Sequence, residues 1–146
     1  MGVSADASWT DCAYKLVEYA GHPVLKLSAK KQTLPGPKQV FRYRDPEGNY
    51  LRDVIARAGE RFDGGEGLLG EVMRDGKRLR PDPPLEELRS CFRAEFARLL
   101  EPLKALRSPS AYDVRISEEL EQLRQRVVRG TKERELGGHH TASGEE

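Results

Sequence analysis

KQVFRYRDPEGNYLRDVIARA, Lys38 to Ala58, decides how this chain folds. Lys38 to Arg44 reads as a strand. DPEGN, Asp45 to Asn49, reads as the turn that follows, with proline where φ near −65° is wanted and glycine where a positive φ is tolerated. Tyr50 to Ala58 reads as the partner strand, because Leu51, Asp53 and Ile55 alternate with Arg52 and Val54. Working outward, the upstream run AYKLVEYAGHPVLKLS predicts a hairpin that turns at Ala20-Gly21-His22-Pro23. Between these hairpins lies KQTLPGPKQVFR, Lys31 to Arg42, whose cations surround a Pro-Gly-Pro bend.

Downstream, a loop with Gly59, Gly64, Gly65 and Gly67 leads to LLGEVMRDGKRLR, a hairpin expected to turn at Asp75-Gly76. The pattern then changes to helical. Asp82 is placed to cap a helix whose first turn holds Pro83 and Pro84. Leu85, Leu88, Phe92, Phe96, Leu99, Leu103 and Leu106 recur at spacings of three and four, which predicts a helix with a buried stripe, kinked or ended by Pro102. RSPSAYDV is read as a link. Ser117 is placed to cap a second helix over 117–129, with Leu120, Leu123 and Val127 on its apolar face. From Lys132 onward the chain has little to bury and reads as a disordered tail. Strands first and helices second make the fold class α+β, with segments 1–58, 59–130 and a tail 131–146.

Composition narrows the function. The chain has 146 residues, enough for one domain, and charged residues (34%) nearly equal apolar ones (37%). Lys and Arg number 25 against 24 Asp and Glu, a balance that argues against nucleic-acid binding by bulk charge. No apolar run suits a membrane span, and MGVSADASWTD lacks the features of a secretory signal, so the expected compartment is the cytoplasm. Cys12 and Cys91 match no metal spacing and are expected to be free buried thiols. His22, His139 and His140 form no metal set.

Motifs for chemistry are scarce. No phosphate-binding glycine loop precedes a helix, and no nucleophile motif is present. Asp6 and Asp11 beside Ser4 and Ser8 suit either an oxygen-ligand cation site or plain Asx turns. Arg124, Arg126 and Arg129 suit a solvated helix face. The basic bend is the exception. Lys26, Lys31, Lys38 and Arg42 are donors for phosphate oxygens on a rigid turn, although a solvated loop explains the same residues. The candidate phosphate-binding residues are therefore Lys26, Lys31, Lys38 and Arg42, with no catalytic or metal-binding residue assigned.

The order GVSADAxxxDxAYKLVEYxGxPVxKLSxxKxTxPGxKQVFR, Gly2 to Arg42, resembles the C-terminal portion of nicotinate phosphoribosyltransferase, especially its bacterial form. VMRDGKRL from Val72, PLEELR from Pro84 and LRSPSAYDVRISEEL from Leu106 extend the resemblance to about Val128. Trp9-Thr10 and Pro37 depart from the pattern. The resemblance implies an enzyme of NAD salvage that joins nicotinate to the ribose of phosphoribosyl pyrophosphate, with ATP hydrolysis and Mg²⁺. It implies the end of a type II phosphoribosyltransferase α/β barrel over 1–58, and a homodimer. The family's G-V-G-T phosphate motif, base pocket and phosphorylatable histidine are expected upstream of Gly2, so the chain reads as a C-terminal fragment, inactive alone. The other readings are a non-catalytic phosphate-binding module and a dimerisation module.

Overall fold

The computed structural model describes residues 15–27 and 33–137. In chain order these form β1 (Glu18–Tyr19), β2 (His22–Pro23), β3 (Lys38–Arg44), β4 (Tyr50–Arg57), β5 (Glu66–Gly67), β6 (Met73–Arg74), β7 (Lys77–Arg78), α1 (Leu85–Ala97), a 3₁₀ turn (Glu101–Leu103), β8 (Val114–Ile116) and α2 (Glu118–Gly137). The architecture is α+β, as the sequence predicts. Contacts divide it into two compact units. One holds the described residues up to Gly36 and those from Arg124 onward; the other is Pro37–Leu123.

In the first unit, β1 and β2 pair antiparallel. Ala20 and Gly21 both have positive φ, 48° and 75°, the geometry of a two-residue hairpin turn. The turn is therefore tighter than the sequence reading, and His22 and Pro23 belong to the return strand. Val24 N and Gly36 N both donate to Val17 O, at 2.9 and 2.7 Å. That shared carbonyl ties the Pro35-Gly36 bend to the hairpin.

The second unit is built on a sheet ordered β5-β3-β4-β8. β3 and β4 are antiparallel, with Arg42 opposite Asp53 and Arg44 opposite Tyr50. Leu51 is the extra residue of a bulge between these pairs, so Tyr50 shares the face of Asp53 despite the odd spacing. Phe41, Val54 and Ala56 are buried on the opposite face, where Phe62 stands with its ring centroid 5.0 Å from that of Phe41. β8 runs parallel to β4, so the segment read as a link contributes an edge strand. The Asp75-Gly76 hairpin forms as expected between β6 and β7, with φ of 49° and 74°.

α1 differs from the sequence reading in three ways. It ends at Ala97, because Pro102 has no N–H to continue the ladder; Leu100 is extended and starts the 3₁₀ turn instead. Asp82 does not cap it. Pro84 occupies the cap position in an extended conformation, no side chain caps the helix, and the Asp82 carboxylate pairs with Arg78. Nor is its apolar stripe buried: no residue of α1 is. Cys91 is free as expected but exposed, since α1 presents it to solvent; Cys12 lies outside the described residues.

Ser117 does cap α2: Leu120 N donates to its Oγ at 3.2 Å, and the hydroxyl donates to Glu60 Oε1 at 2.7 Å. The helix continues to Gly137, past the expected end. Thr131 Oγ1 donates back to Val127 O at 2.9 Å, and Arg134 sits in the last turn, where a cation suits the helix dipole. Residues 138–146 of the expected tail, like the Ser4–Asp11 cation candidates, lie outside the described residues.

Candidate functional site

The register of β3 and β4 assembles a polar cluster that no linear motif announces. Arg42 Nε and Nη2 donate to the two oxygens of Asp53 at 2.9 and 2.8 Å, a two-pronged pairing that fixes both side chains. Tyr112, just before β8, donates its hydroxyl to Asp53 Oδ1 at 2.9 Å. Because of the Leu51 bulge, the Tyr50 ring lies beneath the Arg42 guanidinium (4.1 Å to the centroid) and near that of Arg44 (4.7 Å). Tyr50 Oη donates to Glu95 of α1, and Glu95 Oε2 is 3.9 Å from Arg42 Nη1. Phe92, Phe96, Leu99 and Leu103 wall the cleft above this cluster, which has a volume of about 500 Å³.

Electrostatics fix the protonation states. Burial by itself would raise the Asp53 carboxyl, but hydrogen bonds from Arg42 and Tyr112, with the Arg42 charge, outweigh it and hold the group below its ordinary 3.8. The bond to Asp53 raises Arg42, against the opposing effect of burial. Burial, then the hydrogen bond to Asp53, pushes Tyr112 up to about 12. At neutral pH the cluster thus holds a carboxylate, a guanidinium and an intact phenol. Asp53 is saturated by three donors and Tyr112 keeps its proton, so neither serves as a general base. The cluster orients and supports.

The four predicted phosphate ligands are distributed between the units. Lys26 is in the first, where its backbone N donates to Thr33 Oγ1 at 2.9 Å and closes the loop that carries Lys31. Lys31 itself lies outside the described residues. Lys38 and Arg42 are in the second unit, on one face of β3 and about 13 Å apart along the strand. Burial lowers Lys38. Arg42 is committed to Asp53 through two of its nitrogens. Sequence reasoning found Arg42 but missed Asp53, Tyr50, Glu95 and Tyr112. The available signal was a lone aspartate in mid-strand opposite an arginine across the DPEGN turn.

Fold and cluster define, first, an accessory α+β domain whose polar side chains are mutually paired. The comparisons give the family. Residues 62–124 match the family model described as the nicotinate phosphoribosyltransferase C-terminal domain. The chain is 37% identical over 128 residues to nicotinate phosphoribosyltransferase pncB2 of Mycobacterium tuberculosis, covering 84% of this chain and 27% of that protein. It is 33% identical to the nicotinate phosphoribosyltransferase of Rattus norvegicus, covering 77% of this chain and 25% of that one. The crystal structure of human nicotinic acid phosphoribosyltransferase superposes with a TM-score of 0.68 at 28% identity, covering 80% of this chain and 26% of that chain. The chain carries a nicotinate phosphoribosyltransferase C-terminal domain, and the resemblance read from the sequence is borne out. It spans about a quarter of the length of the curated relatives it matches.

Proposed function

We propose that this chain works as part of a nicotinate phosphoribosyltransferase, joining nicotinate to phosphoribosyl pyrophosphate with release of pyrophosphate and driven by ATP. The observation that carries this reading is the 37% identity to the M. tuberculosis enzyme over most of the chain. The complete enzyme is a cytoplasmic homodimer in this reading. The chain's contribution is electrostatic: fixed cations stabilise the charge that develops on departing pyrophosphate. Lys26 and Lys31 lead the phosphate contacts, followed by Lys38 and Arg42, which reaches phosphate through Nη1. Mg²⁺ belongs to the proposed reaction. Among the described residues no group of three or more His, Cys, Asp or Glu side chains is placed to hold a metal, so no step is assigned to a metal bound there.

A chimera in which this chain replaces the matching stretch of the M. tuberculosis enzyme tests the reading. It is expected to form nicotinate mononucleotide. Lys26→Ala and Lys31→Ala should each weaken phosphoribosyl pyrophosphate or ATP about tenfold or more, the worth of an ammonium–phosphate contact, and leave nicotinate nearly unaffected. A folded chimera without product would remove the reading. An active chimera indifferent to both substitutions would return the bend to a solvated loop.

A further inference from the structure

α1 carries an apolar stripe that nothing in the described structure covers. Leu85, Leu88, Phe92 and Phe96 are 62%, 50%, 67% and 43% exposed. Their spacings of three and four place them on one face of the helix. Phe92 and Phe96 stack, with centroids 5.8 Å apart. Elsewhere on the helix Glu86 pairs with Arg89 at 3.2 Å, an ordinary solvated contact. At the areas usual for such side chains, the stripe leaves on the order of 400 Å² of contiguous apolar surface, about the most that a monomer shows without a use for it.

We infer that this stripe is an intramolecular docking face for the remaining three-quarters of the polypeptide that its relatives possess. The inference rests on the family reading above. Two observations choose this occupant. The chain covers only 26% of the human relative with which it superposes, so most of such a protein is available to cover the face. The area is also about half the 800 Å² per partner that stable association of separate chains usually buries. A second copy would have to offset the entropy of association with that small area. A covalently continuous polypeptide would not, because its effective concentration is already high.

Thiol labelling tests this without reference to activity. Phe92→Cys is placed in a chain whose Cys12 and Cys91 have been replaced by Ser, and Arg89→Cys on the same background is the control. In the isolated chain both thiols should react with a small disulfide reagent at similar rates. In the chimera with the M. tuberculosis enzyme, Cys at position 92 should react at least tenfold more slowly, and Cys at position 89 should keep its rate. Because a chimera can fail to assemble, the same pair is made in the intact M. tuberculosis enzyme at the aligned positions. Equal rates there would overturn the inference. Protection already present in the dilute isolated chain would assign the cover to this chain's own segments. Protection that grows with concentration would assign it to a second copy, and either result also overturns the inference. A protected but inactive chimera would leave the docking face standing and remove the proposed function. An active chimera with an unprotected thiol would do the reverse.

Discussion

Asp53 gathers a guanidinium and a phenol on one carboxylate, and this sets how the chain responds to pH. Its folded-state pKa lies below 3.8, so its contribution to stability is complete above that value and is lost as pH falls through the folded pKa. Tyr112 acts at the other end. Raised from 10.0 to about 12, it contributes fully below pH 10 and loses that contribution as pH rises from 10 to 12. Melting temperature against pH should therefore fall on both sides, with Asp53→Asn flattening the acid limb and Tyr112→Phe the alkaline one. Unchanged limbs would mean that the cluster is not formed in solution. Asp53→Asn should also cost about 1.5–3 kcal/mol at neutral pH, because it leaves a half-buried guanidinium short of its partner. Aromatic residues separate just as clearly. Phe41→Ala empties a buried site and should cost about 3–5 kcal/mol, whereas Phe92→Ala, on the exposed stripe, should change the isolated chain by less than about 0.5 kcal/mol. Denaturant titration distinguishes these outcomes, and a large loss at Phe92 would place that ring in a core.

Elements were legible where the signal is local. β3, its turn and β4 follow from alternation and from the Pro and Gly of DPEGN, and the Asp75-Gly76 turn follows from its dipeptide. Ser117 announced α2 for the same reason, and Ser117→Ala should cost about 1 kcal/mol as the Leu120 N–H loses its acceptor. β8 was not legible, because three residues pairing in parallel with a strand some sixty positions earlier leave no local pattern. The stripe of α1 was legible as a face but not as exposed, since periodicity reports which side is apolar and not what covers it. The site divides in the same way. Arg42 was visible as a cation, while its pairing with Asp53 depends on register and the presence of Tyr50 beside them depends on a bulge. Deleting Leu51 tests that bulge. One residue fewer returns strict alternation and turns Tyr50 to the opposite face, away from Arg42, Arg44 and Glu95. The variant should melt well below the parent and lose the near-ultraviolet signature of an ordered Tyr50, while Leu51→Ala, which keeps the bulge, should retain both. A deletion without effect would show that the bulge does not position Tyr50.

For the whole molecule, the balance of covered and uncovered apolar surface leads to the last prediction. Among the described residues the buried apolar side chains are Phe41, Tyr50, Val54, Ala56 and Leu120, while Val72, Met73 and Leu79 around the β6–β7 hairpin stay exposed along with the α1 stripe. Such surface attracts apolar probes, so the isolated chain should bind anilinonaphthalene sulfonate in its native state and melt over a broad range. It should also fail to make nicotinate mononucleotide. Phosphoribosyl transfer requires the base, the ribose carbon and the pyrophosphate to be held together, and positioning of this kind supplies much of an enzyme's acceleration. Within the described residues the polar cluster is internally paired, Asp53 is saturated and Tyr112 stays protonated, so the cleft offers neither a free base nor a second substrate-binding wall. The experiment supplies nicotinate, phosphoribosyl pyrophosphate, ATP and Mg²⁺ to the purified chain and follows the mononucleotide by mass. No product above a blank is expected, while the chimera should give product under the same conditions. Turnover by the isolated chain, abolished by Lys26→Ala, would show that these residues hold a complete site after all.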